Sequence, residues 1–177
     1  MTVELEPMEE RPKTLEELYD YQVKFAAFAF VRNEGFIQPM WVGQTTDDTL
    51  LPITTTWDSA EQKLEAFETV KNIFRDFEVV RYVSMLEAWM VIADKSALKE
   101  DREGLMKTRP SDHPDKQEAI IIVGEDGVKS IFGYYPIIRD KDGNPTLGEF
   151  QKQDMGGAIS SGTMTDLLPI KRNETIH

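Results

Sequence analysis

The longest apolar run of the chain extends from Val79 to Ala93 and is rich in β-branched and aromatic residues. Such a run favours a strand that is buried on both faces of a sheet. Glu87 lies in the middle of this run, and burying an unpaired carboxylate costs on the order of several kcal/mol. We therefore expect Glu87 to be hydrogen-bonded, paired with a cation, protonated or placed at a cleft.

Two stretches carry apolar residues at helical spacing. The first begins at a capping-box pattern, Thr14 to Glu17, and ends at the stop signal Asn33 to Gly35. The second begins at another capping-box pattern, Asp58 to Glu61. Its apolar face consists of Leu64, Phe67, Val70, Phe74 and Phe77. We expect two helices, the second of which lies flat against a sheet.

Two strands are predicted between the helices, at Phe36 to Gln44 and at Leu50 to Thr56, with a turn between them. Each contains a proline, Pro39 in the first and Pro52 in the second. Because proline lacks an amide donor, at least one of these strands should lie at a sheet edge or begin at its proline.

Turn residues divide the later part of the chain. Gln117 to Gly124 and Val128 to Ile138 flank a Glu-Asp-Gly turn and predict an antiparallel hairpin. Asp140 to Asn144 predicts another turn, followed by a short strand near Thr146 to Phe150. The glycine of this turn comes fourth rather than sixth, so its spacing does not fit the calcium loop of an EF-hand.

The order of the elements is segregated rather than alternating, which favours an α+β fold. We predict a mostly antiparallel sheet of about five strands with two helices packed on one face. Residues 1–13 are interpreted as a mobile acidic arm, 14–150 as a single globular domain and 151–177 as an extended Gly/Ser-containing tail. The tail is too apolar for a purely solvated segment. We expect it to pack on its own domain or on a neighbour, and docking on a second subunit or a partner is the favoured interpretation.

The amino-acid composition excludes several kinds of functional site. The 177 residues contain no cysteine and two histidines, which excludes disulfides, thiolate nucleophiles and cysteine-containing metal sites. We expect no cofactor and no required metal. No apolar run approaches the roughly 20 residues of a membrane span, and the acidic start differs from a signal peptide. The expected location is therefore the cytoplasm.

The chain is strongly acidic, with a formal charge of -12 and a pI near 4.6. This charge repels nucleic acid phosphates and anionic lipid headgroups, so direct nucleic acid or membrane binding is not expected. The acids are interleaved with Lys and Arg, which is typical of solubilising charge. The other interpretation is an acidic surface that mimics nucleic acid or docks a basic partner.

The segment from Arg109 to Lys116 places Ser111, Asp112 and His113 between two prolines, and Asp115 directly follows the second proline. Neighbouring side chains on an extended chain diverge, so they do not readily form a catalytic triad. A rigid loop is favoured, with binding and catalysis as alternatives. For Glu87 we expect a basic partner, an Arg or Lys of the loop that follows the apolar run, and Arg109 is favoured because its fork matches a carboxylate. The pair is interpreted as a buried structural one, with a general acid or base as the alternative.

Three segments carry a resemblance: Pro39 to Trp41, Tyr82 to Trp89 and Arg109 to Asp115. They resemble a group of uncharacterised bacterial and bacteriophage proteins with Pro-Met-Trp, Ser-Glu-Ala-Trp and Arg-Pro-Ser-x-His-Pro-Asp segments. This chain departs from that pattern because Met85 and Leu86 separate Ser84 from Glu87. The resemblance implies that the segments meet in one site and that the cytoplasm is that of a bacterial or phage-infected host cell. It implies no activity.

The leading hypothesis is a non-enzymatic accessory protein of the phage or mobile-element type that binds another macromolecule through its acidic surface and tail. A protein partner and self-association into a homo-oligomer are both open. The alternative is a small-molecule-binding or hydrolase-like enzyme with a cleft around Glu87, Arg109 and His113. The candidate binding residues are Trp41, Glu87, Trp89, Arg109, Asp112 and His113.

Overall fold

The computed structural model describes residues 3–91, 112, 114–153 and 167–168. The elements in chain order are α1 (Leu15–Arg32), β1 (Met40–Thr45), β2 (Leu50–Thr54), α2 (Ala60–Asp76), β3 (Val79–Met90), β4 (Gln117–Glu125), β5 (Ser130–Arg139), β6 (Pro145–Leu147) and β7 (Gln151–Gln153). Every strand pairing is antiparallel. The predicted α+β class with an antiparallel sheet is confirmed.

The sheet runs in the order β2-β1-β3-β4-β5-β6, and β7 also pairs with β5. The apolar run beginning at Val79 is therefore a central strand, with β1 on one side and β4 on the other. The prediction of an edge strand is confirmed, because β2 ends the sheet and contains Pro52, which lies opposite Val42. Two short strands, β6 and β7, share the outer edge of β5, which raises the number of strands in the described ranges to seven.

The predicted start of α1 is confirmed. The amide of Glu17 donates to the Thr14 hydroxyl over 3.2 Å, and the Glu17 carboxylate accepts from the amide of Lys13 over 2.6 Å. The predicted start of α2 is wrong by one residue: Ser59 is the N-cap and accepts from the amide of Gln62 over 3.1 Å. Serine and glutamine three residues apart form the same kind of capping box.

The two helices cover opposite faces of the sheet, which corrects the prediction of one shared face. Val83 and Met85 of β3 belong to the core beneath α1, whereas Tyr82 and Leu86 belong to the core beneath α2. Successive side chains of a strand point to opposite faces. A strand that is apolar on both faces therefore needs a cover on each side. We call these two sides the α1 face and the α2 face.

A short part of the predicted tail lies within the domain. Leu167 is 4% exposed and belongs to the α2-face core, and β7 pairs with β5. Residues 154–166 and 169–177 lie outside the described residues. The expected docking of the tail on a second subunit or a partner therefore stays a prediction.

The acidic arm is tied to the domain at its end. The carbonyl of Pro12 accepts from the buried Gln44 amide group over 2.8 Å, and the Lys13 ammonium pairs with Asp48 at 3.1 Å. Arg11 donates to the carbonyl of Asp48 over 3.3 Å. These contacts fix the point at which the arm leaves the sheet.

Candidate functional site

Glu87 lies on the α1 face, near the end of β3, and is half-buried. Its Oε1 atom accepts a hydrogen bond from the backbone amide of Ile37 over 2.7 Å. The expectation that Glu87 is hydrogen-bonded is therefore confirmed, with a neutral backbone donor. The predicted partner Arg109 lies outside the described residues, so that ion pair stays a prediction.

The chain reaches Glu87 through the turn that ends α1. Glu34 and Gly35 have φ values of 57° and 91°, and the amide of Gly35 donates to the carbonyl of Phe30 over 2.8 Å. A Cβ atom at Gly35 would lie 2.2 Å from Cγ of Pro145, so both the backbone conformation and the close approach require glycine. Ile37 is 2% exposed. Its burial in the α1-face core holds its amide against Glu87.

The environment raises the pKa of the Glu87 carboxyl above its ordinary value of 4.5. Burial is the largest cause, because removing the carboxylate from water disfavours its charged form. The Ile37 hydrogen bond lowers the pKa, the charge of Glu118 raises it and the charge of Arg139 lowers it. Burial therefore outweighs the stabilisation that a single amide gives to the carboxylate.

Arg139 is a cation whose charge acts on Glu87, and it is held by Glu118. Its Nε and Nη2 atoms donate to the two oxygens of Glu118 over 2.8 and 2.6 Å. Its Nη1 atom donates to the carbonyl of Gly143 over 3.1 Å. Such a two-pronged geometry uses the guanidinium fork. Arg139 thus affects Glu87 through its charge and not through a hydrogen bond.

Trp89 stands two positions along β3 from Glu87 and on the same face of the strand. It is 43% exposed and lies opposite Glu118 in the register with β4. The ammonium of Lys116 lies 4.8 Å from the centre of its ring. A cation over an indole face at this distance is attracted by the ring quadrupole.

The structure separates some of the predicted site residues. Trp41 is fully buried on the α2 face, where its ring lies 6.2 Å from Trp57 and 5.3 Å from Phe67. Glu87 lies on the opposite face, so these two residues do not line one cleft. Asp112 is exposed, and Arg109 and His113 lie outside the described residues. Glu87 and Trp89 are the predicted pair that the structure brings together.

Sequence reasoning missed the residues that complete this region, above all Ile37, Glu118 and Arg139. A signal existed for Glu118 and Arg139. The hairpin turn fixes the register of β4 and β5, in which Ala119 lies opposite Pro136, and extending that register places Arg139 diagonally across from Glu118. Ile37 had no such signal, because its amide reaches Glu87 across 50 residues of chain.

A second carboxylate is buried at the other end of β4. Glu125 is 7% exposed and lies opposite Tyr82 in the register of β3 and β4. The Tyr82 hydroxyl donates to one of its oxygens, and the Ser130 hydroxyl donates to the other over 3.2 Å. The sequence pattern placed Glu125 in the hairpin turn and gave no reason to expect its burial.

Within the described ranges, no group of three or more His, Cys, Asp or Glu side chains could hold a metal ion. No helix of the described residues has the length and apolar character needed to cross a bilayer. Comparison with known proteins gives no match, since no family model, no curated protein and no solved structure matches the chain.

Proposed function

We propose that this protein acts non-enzymatically, as an accessory protein of the phage or mobile-element type that binds a basic protein partner through its acidic surface. The phage or mobile-element part of the proposal rests on the resemblance of the three short segments. The mode of action rests on the charge and placement of the acidic arm, of which the structure describes residues 3–13.

One observation carries the mode of action. Four carboxylates of the arm are exposed, those of Glu4, Glu6, Glu9 and Glu10. The apolar side chains of Val3, Leu5 and Met8, which precede or separate these glutamates, are half-buried. The arm thus presents its charge outward. No ion pair involves these four carboxylates in the part of the chain that the structure describes.

The anchoring of the arm makes this charge suitable for binding. The contacts of Arg11, Pro12 and Lys13 with the domain hold the end of the arm in place. A tethered cluster of like charges loses less conformational entropy on binding than a free one. It also speeds the approach of an oppositely charged surface. Nucleic acid phosphates are repelled by the same charge, which favours a basic protein as the partner.

The direct test is affinity capture from lysate of the host, followed by binding measurements with the captured partner. A variant with all four arm carboxylates neutralised, Glu4, Glu6, Glu9 and Glu10 to Gln, should lose at least tenfold in affinity. Charge-dependent binding should also weaken between about 0.05 and 0.5 M salt, because the screening length falls several-fold over this range.

A matched control variant loses the same net charge as the arm variant, but at a different place. Glu61, Glu65, Glu68 and Glu78 are exposed on or just after α2. Replacing them with Gln removes the same four charges elsewhere, and this variant should bind nearly as well as wild type. Equal binding by the arm variant, or a partner that is itself acidic, would contradict the proposal.

The alternative function is a small-molecule-binding or hydrolase-like enzyme that uses Glu87 as a general acid. The observation in its favour is the raised pKa of the half-buried Glu87 carboxyl beside an exposed tryptophan. A hydrolytic activity of purified protein that Glu87→Gln abolishes, with folding unchanged, would favour this alternative.

A further inference from the structure

We propose that Glu87 and Trp89 form a subsite for a cationic side chain, with arginine preferred, that a partner protein presents. The inference rests on the proposed function for the source of the cation, which is a basic protein. The subsite itself is argued from the geometry of the α1 face and lies apart from the acidic arm.

The first support is the incomplete coordination of the Glu87 carboxylate. An ionised carboxylate has two oxygens and about four acceptor positions. Oε1 accepts from the Ile37 amide, and Oε2 accepts no hydrogen bond from any described residue. A half-buried carboxylate with a single neutral donor gains from a charge-assisted hydrogen bond.

The second support is that the neighbouring cation, Arg139, is already paired with Glu118. Arg139 gives its fork to Glu118 and a further bond to Gly143, so it has no hydrogen bond with Glu87. The pair of Glu118 and Arg139 is electrically balanced. The charge of Glu87 is therefore not neutralised by that pair, and a guanidinium entering from a partner would neutralise it.

The third support is Trp89. Its ring lies on the same face as Glu87, at a separation that one arginine side chain can span. Two positions along a strand separate Cα atoms by about 7 Å. The ring holds the Lys116 ammonium 4.8 Å from its centre, which shows that this environment suits a cation. A planar guanidinium stacks on an aromatic face better than an ammonium does and donates to a carboxylate at the same time.

The surrounding surface suits the aliphatic part of an arginine. Phe36, the neighbour of Ile37, is 53% exposed, and Trp89 is 43% exposed. The methylene groups of arginine bury along apolar surface while the charged head bonds to its acceptor. Charge complementarity points the same way, because the whole chain carries a formal charge of -12.

The test is an NMR titration of the full chain with N-acetyl-arginine amide. Saturable shifts are expected at the Ile37 backbone amide and the Trp89 indole N–H. The neutral analogue N-acetyl-citrulline amide, which matches arginine in shape, should bind at least tenfold more weakly, since a hydrogen bond between charged groups is worth about 1.5–3 kcal/mol.

Three variants locate the effect. Glu87→Gln should weaken arginine binding about tenfold or more, and Trp89→Leu should weaken it several-fold while keeping apolar bulk. Glu68→Gln on α2 removes the same charge from an exposed position and should leave binding unchanged. The amide spectra of all three variants should show a folded protein.

Several outcomes would overturn the inference. These are no saturable shift at either probe, equal binding of arginine and citrulline, or unchanged binding by Glu87→Gln. Binding that emerges only in Arg109→Gln would also overturn it, because the chain's own arginine would then fill the subsite. N-acetyl-arginine amide is a small cation and its binding needs no protein partner. Arginine binding can therefore be absent while the arm still binds a basic protein. Likewise, arginine can bind at Glu87 and Trp89 while the arm binds no protein.

Discussion

Two glutamates of the central sheet differ in how completely their carboxylates are satisfied. Glu125 on the α2 face is 7% exposed and accepts from the hydroxyls of Tyr82 and Ser130. Glu87 on the α1 face is half-buried and accepts from the backbone amide of Ile37. Deep burial of a carboxylate requires donors for its oxygens. Glu125 is therefore part of the packed structure, whereas Glu87 retains capacity for a further donor.

Removing the better satisfied carboxylate should have the largest effect. Glu125→Ala leaves the buried Tyr82 hydroxyl and the Ser130 hydroxyl without their acceptor. We expect the free energy of unfolding to fall by about 3 kcal/mol. Urea denaturation measures the change, with the exposed Glu68→Ala on α2 as the control, for which less than about 0.5 kcal/mol is expected. A loss as small as that of the control would show that Glu125 is not held as described.

The hydroxyl of Tyr82 should account for much of this effect. Tyr82→Phe keeps the aromatic ring, whose centre lies 5.1 Å from that of Phe74, and removes one donor to Glu125. A hydrogen bond to a charged group contributes roughly 1.5–3 kcal/mol, so we expect a loss of about 2 kcal/mol. Thermal unfolding with Tyr134→Phe as a second tyrosine variant measures it. Equal melting temperatures for wild type and Tyr82→Phe would contradict the assignment.

Removing the Glu87 side chain should cost less than either change. Glu87→Ala leaves the Ile37 amide without its acceptor, and we expect a loss of about 1–2 kcal/mol. Glu87→Gln keeps an oxygen that can accept from Ile37 and should cost less than about 1 kcal/mol. Urea denaturation of these two variants decides whether Glu87 is held by a hydrogen bond or by an ion pair. A loss of about 3 kcal/mol or more for Glu87→Ala would indicate a buried cationic partner instead.

The contrast between the two glutamates also shows what the sequence could reveal. Glu87 interrupts a long apolar run, so its partial burial was predictable, and the caps of α1 and the hairpin of β4 and β5 follow from local turn chemistry. Glu125 sits beside a turn signal, and its burial follows from its register with Tyr82. Register between strands that are distant in the chain is not encoded in a short pattern.

Two features of the fold escaped prediction, and the first of them did so for a physical reason. Strand β7, Gln151–Gln153, is polar and exposed, so no apolar alternation marks it. The placement of the helices on opposite faces was within reach of the sequence. A strand that is apolar on both faces needs two covers, and β3 is such a strand.

The pH dependence of stability gives the smallest of the expected effects. Because the pKa of Glu87 is raised in the folded protein above 4.5, the folded state binds this proton more tightly than the unfolded chain does. Its stabilising contribution is therefore full below that ordinary value and is lost as the pH rises through the folded-state pKa. The effect is small because water screens the half-exposed carboxyl.

This dependence is measured as the difference in unfolding free energy between wild type and Glu87→Gln. The difference should favour wild type more at about pH 4 than at about pH 7. The variant serves as the reference because the other titrating groups are common to both proteins. A difference that favours wild type more at about pH 7 than at about pH 4 would mean that a cation holds the Glu87 carboxylate in its charged form.

The most direct test of this account is a carbon-13 NMR titration of the side-chain carboxyl of Glu87, assigned by comparison with Glu87→Gln. Glu87 is half-buried and accepts from one neutral donor among the described residues, so its carboxyl should titrate with a pKa above the ordinary 4.5. Addition of N-acetyl-arginine amide should lower the pKa, because a bound cation favours the carboxylate. A pKa at or below the ordinary value in the absence of ligand would contradict the account, because a cation would then already occupy the site.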